Sequence, residues 1–384
     1  MTVPARIRDF AEDLTAIRRD LHEHPELGFQ EHRTAGIVAD ALRGWGIEVT
    51  TGIGGTGVVG VLRGSRPGRT IGLRADMDAL PIDEQTNLPW SSKTPGVMHA
   101  CGHDGHTTML LGAARYLAET RDFAGTAVFI FQPAEEGLGG ARAMLADGLF
   151  DRFPCDEIYG LHNSPYHPEG VVRITPGPAQ AGANFFDIRV TGRGCHAAMP
   201  EAGTDALVAA AALVGQLQTI VARAVPATQE VVLSVTQFHA GSAYNVIPDT
   251  ATLAGTVRYF DRATADLVTR RMQEICDGIA RGHDVEVTLE MRNVFDVLEN
   301  DAVLAEGMIA AAADVVGGAA SIDSRKVMGS EDFADMLQRV PGAYCTLGQA
   351  GTVPLHNPGY VFDDAILPVG AALLARMVER RGVA

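Results

Sequence analysis

Between residues 180 and 292 the apolar segments run strand, helix, strand, strand, helix, strand, an order that few folds accept. NFFDIRVTG is followed by a helix over 204–223, then EVVLSVTQFHA and TATLAGTVRYF in succession, a helix over 262–282, and DVEVTLEMR. This is the β-α-β-β-α-β pattern of a ferredoxin-like domain. Pro and Gly punctuate its entrance at TPGPAQAG, and RNVFDV marks its exit. Residues 180–292 therefore read as a domain inserted into a larger one built from residues 1–179 and 293–384.

The outer segments carry a different rhythm. Apolar runs at 58–64, 70–75 and 126–131 are short enough for strands, and a helix is expected from Gly105 to Thr120 between the last two. The C-terminal part supplies helices over 301–315, 331–339 and 364–381 and an apolar run at 343–347. The expected class is α/β, with a mixed sheet covered by helices on both faces. A length of 384 residues agrees with two domains, since single cores stop growing well below that size.

Charge narrows the partners. A formal net charge of −16 disfavours nucleic acid and anionic membranes, which need a basic face to displace counterions. Five cysteines form no even framework, so Cys155, Cys195, Cys276 and Cys345 read as small buried or neutral positions of a cytoplasmic protein. The N-terminal stretch reads as an amphipathic helix ending before Pro25, not as an export signal. The longest apolar stretch, DALVAAAALVGQLQTIVAR, is interrupted at helical spacing and reads as a packed helix, so no membrane partner is expected.

The chemistry concentrates in MHACGHDGHT, residues 98–107. On an extended segment alternate residues face one way, so Cys101 and His103, with His99, can point at one centre. Thiolate and imidazole suit zinc, cobalt, nickel or a similar divalent ion. In FIFQPAEEG an apolar strand runs into the neighbouring carboxylates Glu135 and Glu136, which diverge. One can bind metal while the other takes a proton from water. His162 in YGLHNSP and His356 in VPLHNP end two further apolar runs. Cys101, His103, a carboxylate of the Glu pair, His162 and His356 exceed what a closed tetrahedral structural site needs, which favours an open or two-metal catalytic site. Asp76 and Asp78 end a strand in LRADMDALP, and Asp78 is read as holding a ligand histidine in one tautomer.

Taken in order, MHACGHDGHT, QPAEEG, LHN, GCHAAMPE, AYNVIPD, GTVR, GSEDF and LHNP closely resemble the metal-dependent amidohydrolases that include hippurate hydrolases, N-acyl-amino-acid hydrolases and auxin-conjugate hydrolases. The resemblance implies two divalent ions per subunit, with Mn, Zn, Co and Ni all compatible. It implies that Cys101 bridges them, that His103, Glu136, His162 and His356 complete their coordination, and that Glu135 is the general base. It further implies that His196 stabilises the oxyanion, that Asn245 and Arg258 lie near the substrate, and that the inserted domain is a lid through which a homodimer forms. Cys195 departs from the glycine often found before that histidine, and a larger side chain there can tilt it. Ser330 of GSEDF reads as a helix N-cap without a chemical role.

The expected activity is hydrolysis of N-acyl amino acids, hippurate-like or N-acetylated, to a carboxylic acid and a free amino acid. A dipeptidase or carboxypeptidase of the same superfamily is the alternative. A metal-binding protein without turnover would lack the base or a ligand, and none is missing here.

Overall fold

The computed structural model describes residues 2–383, which divide into two compact units. The first comprises the described part of residues 1–179 with Leu298–Arg325 and the described residues from Glu331 onward; the second comprises Gln180–Val297 and Lys326–Ser330.

The first unit is built on an eight-stranded mixed sheet in the order Glu48–Ile53, Gly57–Arg63, Ala124–Gln132, Arg66–Asp76, Glu157–Ser164, Gly342–Gly348, Val172–Ile174, Ala320–Ile322. Its four central strands are mutually parallel, whereas Glu48–Ile53 and Gly57–Arg63 run antiparallel at one side. Central strands covered on both faces must be apolar throughout, which is why they appear in the sequence as unbroken runs. Val128, Phe129, Ile130 and Phe131 are all buried, one after another. Helices His103–Thr120, Ala302–Val316 and Leu367–Arg381 supply much of the core, the last beginning with Pro368 in its first turn.

The parallel arrangement places the C-terminal ends of the four central strands along one edge. Asp76 pairs in register with Gln132, and Ser164 with Gly348. Segments leaving these ends carry Asp78, Glu135 and Glu136, while His162 lies within the last strand turns. A parallel sheet makes its crevice at this edge.

The second unit has a four-stranded antiparallel sheet in the order Val231–Ala240, Thr250–Tyr259, Gly182–Thr191, Glu286–Phe295. Helices Ala206–Thr219 and Arg262–His283 fall between the strands in the β-α-β-β-α-β sequence. Strict alternation from Phe185 to Val190 buries Phe186, Ile188 and Val190 and exposes Phe185, Asp187 and Arg189. The unit runs to Val297 and not to 292, because its last strand continues past Arg292, through a bulge between Asn293 and Phe295, to pair Phe295 with Ala183. It also takes in Lys326–Ser330, to which Ala181 N–H is tied through the carbonyls of Val327 and Gly329.

Helical segments Ala206–Ala224 and Ala302–Ala319 are long and apolar enough to cross a membrane. Each instead buries one stripe in its own unit: Ala206, Ala209, Ala210, Leu213 and Leu217 in the first segment, and Leu304, Met308, Ala311 and Val315 in the second. All five cysteines are free.

Candidate metal centre

The site is assembled around a bend that the alternation argument did not anticipate. His103 is not on an extended segment; it is the first residue of helix His103–Thr120, preceded by Gly102 at φ +94°. A side chain at Gly102 would be in the left-handed region and its Cβ would collide with Asn163 Oδ1, so glycine is required there. The bend turns His103 towards Cys101 and separates both from His99. His99 is buried with neither ring nitrogen hydrogen-bonded, and burial holds it down to about 4, so it is neutral.

Cys101 is the hub. Its Sγ lies 3.3 Å from His162 Nε2, and the donor atoms of Cys101, His103 and His162 lie within 4.8 Å of one another. The same holds for Cys101, Glu136 and His356, and for His103, Glu135 and Glu136. All five expected ligands therefore converge with Glu135, and the thiol belongs to two triads at once.

Neighbouring groups fix how each donor is presented. His103 Nδ1 donates to Asp78 Oδ1 at 3.2 Å, which leaves Nε2 with its lone pair directed elsewhere. Asp78 Oδ2 accepts the Glu136 N–H at 3.0 Å, so one buried carboxylate orients two donors. His162 Nδ1 donates to the Asn163 carbonyl at 2.7 Å, freeing Nε2. His356 sits at φ +62° with its N–H bonded to Ala100 O at 2.9 Å, and its Nε2 lies 3.1 Å from Glu136 Oε1. Ala134, also left-handed at φ +54°, turns the chain before the Glu pair; its N–H is held by the buried Glu31 at 2.8 Å. Non-glycine residues in this region are strained, and two of them occur here.

The donor set fits divalent cations. His103 Nε2 is buried without a hydrogen-bond partner and lies 4.0 Å from Glu136 Oε1, whose near neighbour is His356 Nε2 at 3.1 Å. Buried polar atoms rarely remain unpaired, and a cation beside the carboxylate would satisfy the imidazole. Negative groups are also in excess. Asp76, Asp78, Glu135, Glu331 and Asp332 are buried, and among the described residues Arg74 is the only buried arginine bonded to any of them. Burial, reinforced by Glu331 and Glu136, pushes the Glu135 carboxyl well above the usual carboxylate range. Burial likewise raises the Cys101 thiol. Bound cations reverse both tendencies by supplying the missing positive charge.

Other residues of the opening motif have separate duties. His106 is engaged at both nitrogens, Nδ1 with Asp76 Oδ1 at 2.6 Å and Nε2 with the Asn163 N–H at 3.0 Å, which leaves it no lone pair for a metal. Asp104 turns away to His22 Nδ1 at 2.8 Å and Arg18 at 3.4 Å. Arg74, Asn163 and Glu31 escaped the sequence reading. An arginine inside the apolar run TIGLRA was the one available signal for Arg74.

His196, Asn245 and Arg258 belong to the second unit. His196 is exposed on a two-residue strand paired with Val246–Ile247, and its Nδ1 accepts the Ala198 N–H at 3.1 Å, leaving Nε2–H as a donor. Cys195, on the opposite face of that strand, lies against the turn holding Pro200 and Gly203 and not against the imidazole. Asn245 is exposed, and its carbonyl holds Ala197 N–H at 3.0 Å. Arg258 is half-buried, with no carboxylate partner among the described residues. Its Nη1 donates to Ser330 Oγ at 2.5 Å. The N-cap of helix Phe333–Leu337 is Asp332, so Ser330 serves the arginine and not the helix.

Residues 72–380 match the model of peptidase family M20/M25/M40. The chain is 42% identical over 378 residues to a hippurate hydrolase of Campylobacter jejuni, covering 98% of each chain. It is 38% identical over 385 residues to thermostable carboxypeptidase 1 of Saccharolobus solfataricus, covering 96% of each. A Bacillus subtilis crystal structure described as a dinuclear metal-binding peptidase of the M20 family superposes with a TM-score of 0.85 at 35% identity, covering 97% of this chain and 98% of that one.

Proposed function

The chain belongs to peptidase family M20/M25/M40 and is a metal-dependent amidohydrolase, and from that premise we propose that it hydrolyses N-acyl amino acids to a carboxylic acid and a free amino acid. The observation that carries this reading is the convergence of Cys101, His103, Glu136, His162 and His356 beside Glu135, with Cys101 common to two triads.

In the proposed reaction these five residues hold two divalent ions, Mn, Zn, Co or Ni, which supply the Lewis acidity that activates water and polarises the amide carbonyl. Glu135 takes the proton from the attacking water and passes it to the departing amine nitrogen. Asp78 keeps His103 and Glu136 in their ligating poses. His196 offers Nε2–H to the developing oxyanion. Arg258 grips the substrate α-carboxylate by two parallel hydrogen bonds, a role supported by its lack of an internal carboxylate partner. Asn245 contacts the substrate beside it.

A homodimer through the second unit is part of the same reading. Strand Val231–Ala240 is an edge strand exposing Val232 and Phe238, and helix Ala206–Thr219 exposes Leu207 and Val208, surfaces that suit a second copy. The unit is then the inserted lid and dimerisation domain, and the free cysteines accord with the cytoplasm.

Similarity to a carboxypeptidase favours one second reading, cleavage of peptides from the carboxyl end. The deciding experiment is a hydrolysis panel of benzoyl, acetyl and indolylacetyl amino acids against dipeptides, with metal-stripped protein reconstituted with each ion. Turnover confined to N-acyl amino acids is expected. Preference for free-amine dipeptides would replace this reading with the peptidase one.

A further inference from the structure

Behind Glu135 lies a buried ionic cluster that the hydrolytic scheme leaves unused. Arg74, on strand Arg66–Asp76, is 1% exposed and donates to four groups. Nε reaches Gln132 Oε1 at 2.8 Å, Nη1 reaches Asp76 Oδ2 at 2.7 Å, and Nη2 reaches Glu331 Oε1 at 2.8 Å and Asp332 Oδ1 at 3.1 Å. Each acidic partner is held again from another side. Glu331 accepts Tyr344 OH at 2.6 Å and Phe333 N–H at 2.9 Å. Asp332 accepts Gln132 Nε2 at 2.7 Å and Ala141 N–H at 3.0 Å.

The cluster touches the base at one point. The backbone N–H of Asp332 donates to Glu135 Oε1 at 3.4 Å, and carboxylate oxygens of Glu135, Glu331 and Asp332 lie within 4.8 Å of one another. Three carboxylates this close repel in a water-poor interior, so where the one guanidinium directs its donors matters. Arg74 serves Glu331 and Asp332 and gives nothing to Glu135. Glu331 and Asp332 thus share one guanidinium with Asp76, whereas Glu135 receives only the Asp332 N–H, at Oε1, among the described residues.

We propose that Arg74 and Asp332 are positioning residues for Glu135: the guanidinium locks the Glu331–Asp332 turn, and the Asp332 amide fixes Oε1 of the base so that its second oxygen exchanges the proton. A planar fork with several donors is what this lock requires, and a lysine ammonium supplies the charge without the geometry. The inference rests on the reading of Glu135 as general base and assigns work to the GSEDF segment.

The test uses full-length protein loaded with metal, comparing wild type, Asp332→Asn, Arg74→Met, Arg74→Lys and Glu135→Gln. Asp332→Asn keeps the shape but places an NH2 where only acceptors fit. It is expected to lower kcat about tenfold or more, with KM changed less than about twofold, because only the reacting carboxylate is misplaced. Elemental analysis should find wild-type metal content in the same preparation. Arg74→Met should lose more and Arg74→Lys should recover part of the rate. Wild-type kcat in Asp332→Asn, or a fall in kcat matched by lost metal, overturns the proposal while an inactive Glu135→Gln leaves the base assignment standing. Wild-type turnover in Glu135→Gln overturns the base assignment and this inference with it.

Discussion

Replacing Asp78 by alanine perturbs the centre through the one side chain that orients two donors. Asp78 is 1% exposed and accepts His103 Nδ1–H at 3.2 Å and Glu136 N–H at 3.0 Å. His103 belongs to the triad with Cys101 and His162, and Glu136 to the triad with Cys101 and His356, so both ions should feel the loss. Loss of an orienting partner behind a ligand costs about 10–100-fold in metal affinity. That is roughly 1.4–2.7 kcal/mol for each ion. Competition against a chromophoric chelator reads the two affinities, and thermal melting of the metal-stripped protein separates them from general destabilisation. Undiminished affinity for both ions would refute the orienting role. So would a loss confined to the Glu136 triad, because His103 would then hold its pose without Asp78.

Two further outcomes follow from the same structure. Burial opposes the charged form of His22, yet Asp104 at 2.8 Å and Glu84 at 3.4 Å lift it from 6.5 to about 9. A raised folded-state value means that this contribution is complete below about 6.5 and drains as pH rises through about 9. The interval corresponds to at most about 3 kcal/mol. Urea unfolding should therefore show the advantage of wild type over His22→Gln shrinking between those pH values, and a constant difference would refute the ion pair. Arg258→Lys should raise KM about tenfold or more for substrates bearing an α-carboxylate and leave the corresponding amides unaffected, since ammonium cannot form the paired hydrogen bonds. Equal losses on both substrate types would argue against the carboxylate grip.

The sheet centre and the long helices were legible because strands buried on both faces and amphipathic helices leave strong local patterns. Val172–Ile174 and Ala320–Ile322, three residues each, leave no period to detect and owe their place to neighbours. The helix expected from Gly105 begins at His103, because Gly102 in the left-handed region lets the chain enter the helix within one residue of Cys101. His162 and His356 stand next to Cys101 only after the sheet has formed, so spacing could suggest them as ligands but not bring them together. Arg74 and Glu331 illustrate the limit: 257 positions separate them, and nothing local announces their pairing. Ser330 shows the reverse error, a familiar capping residue whose hydroxyl has a long-range partner in Arg258.

The role proposed for Glu135 is to move the proton at a centre of two divalent ions held by its neighbours. Glu135→Gln keeps the size of the side chain and an acceptor for the Asp332 amide but cannot take a proton. Paired measurement of metal content and N-acyl amino acid hydrolysis on one preparation should find two ions per chain and kcat lowered by at least about 10²–10⁴. Near-wild-type turnover in that variant would show that Glu135 is not the base.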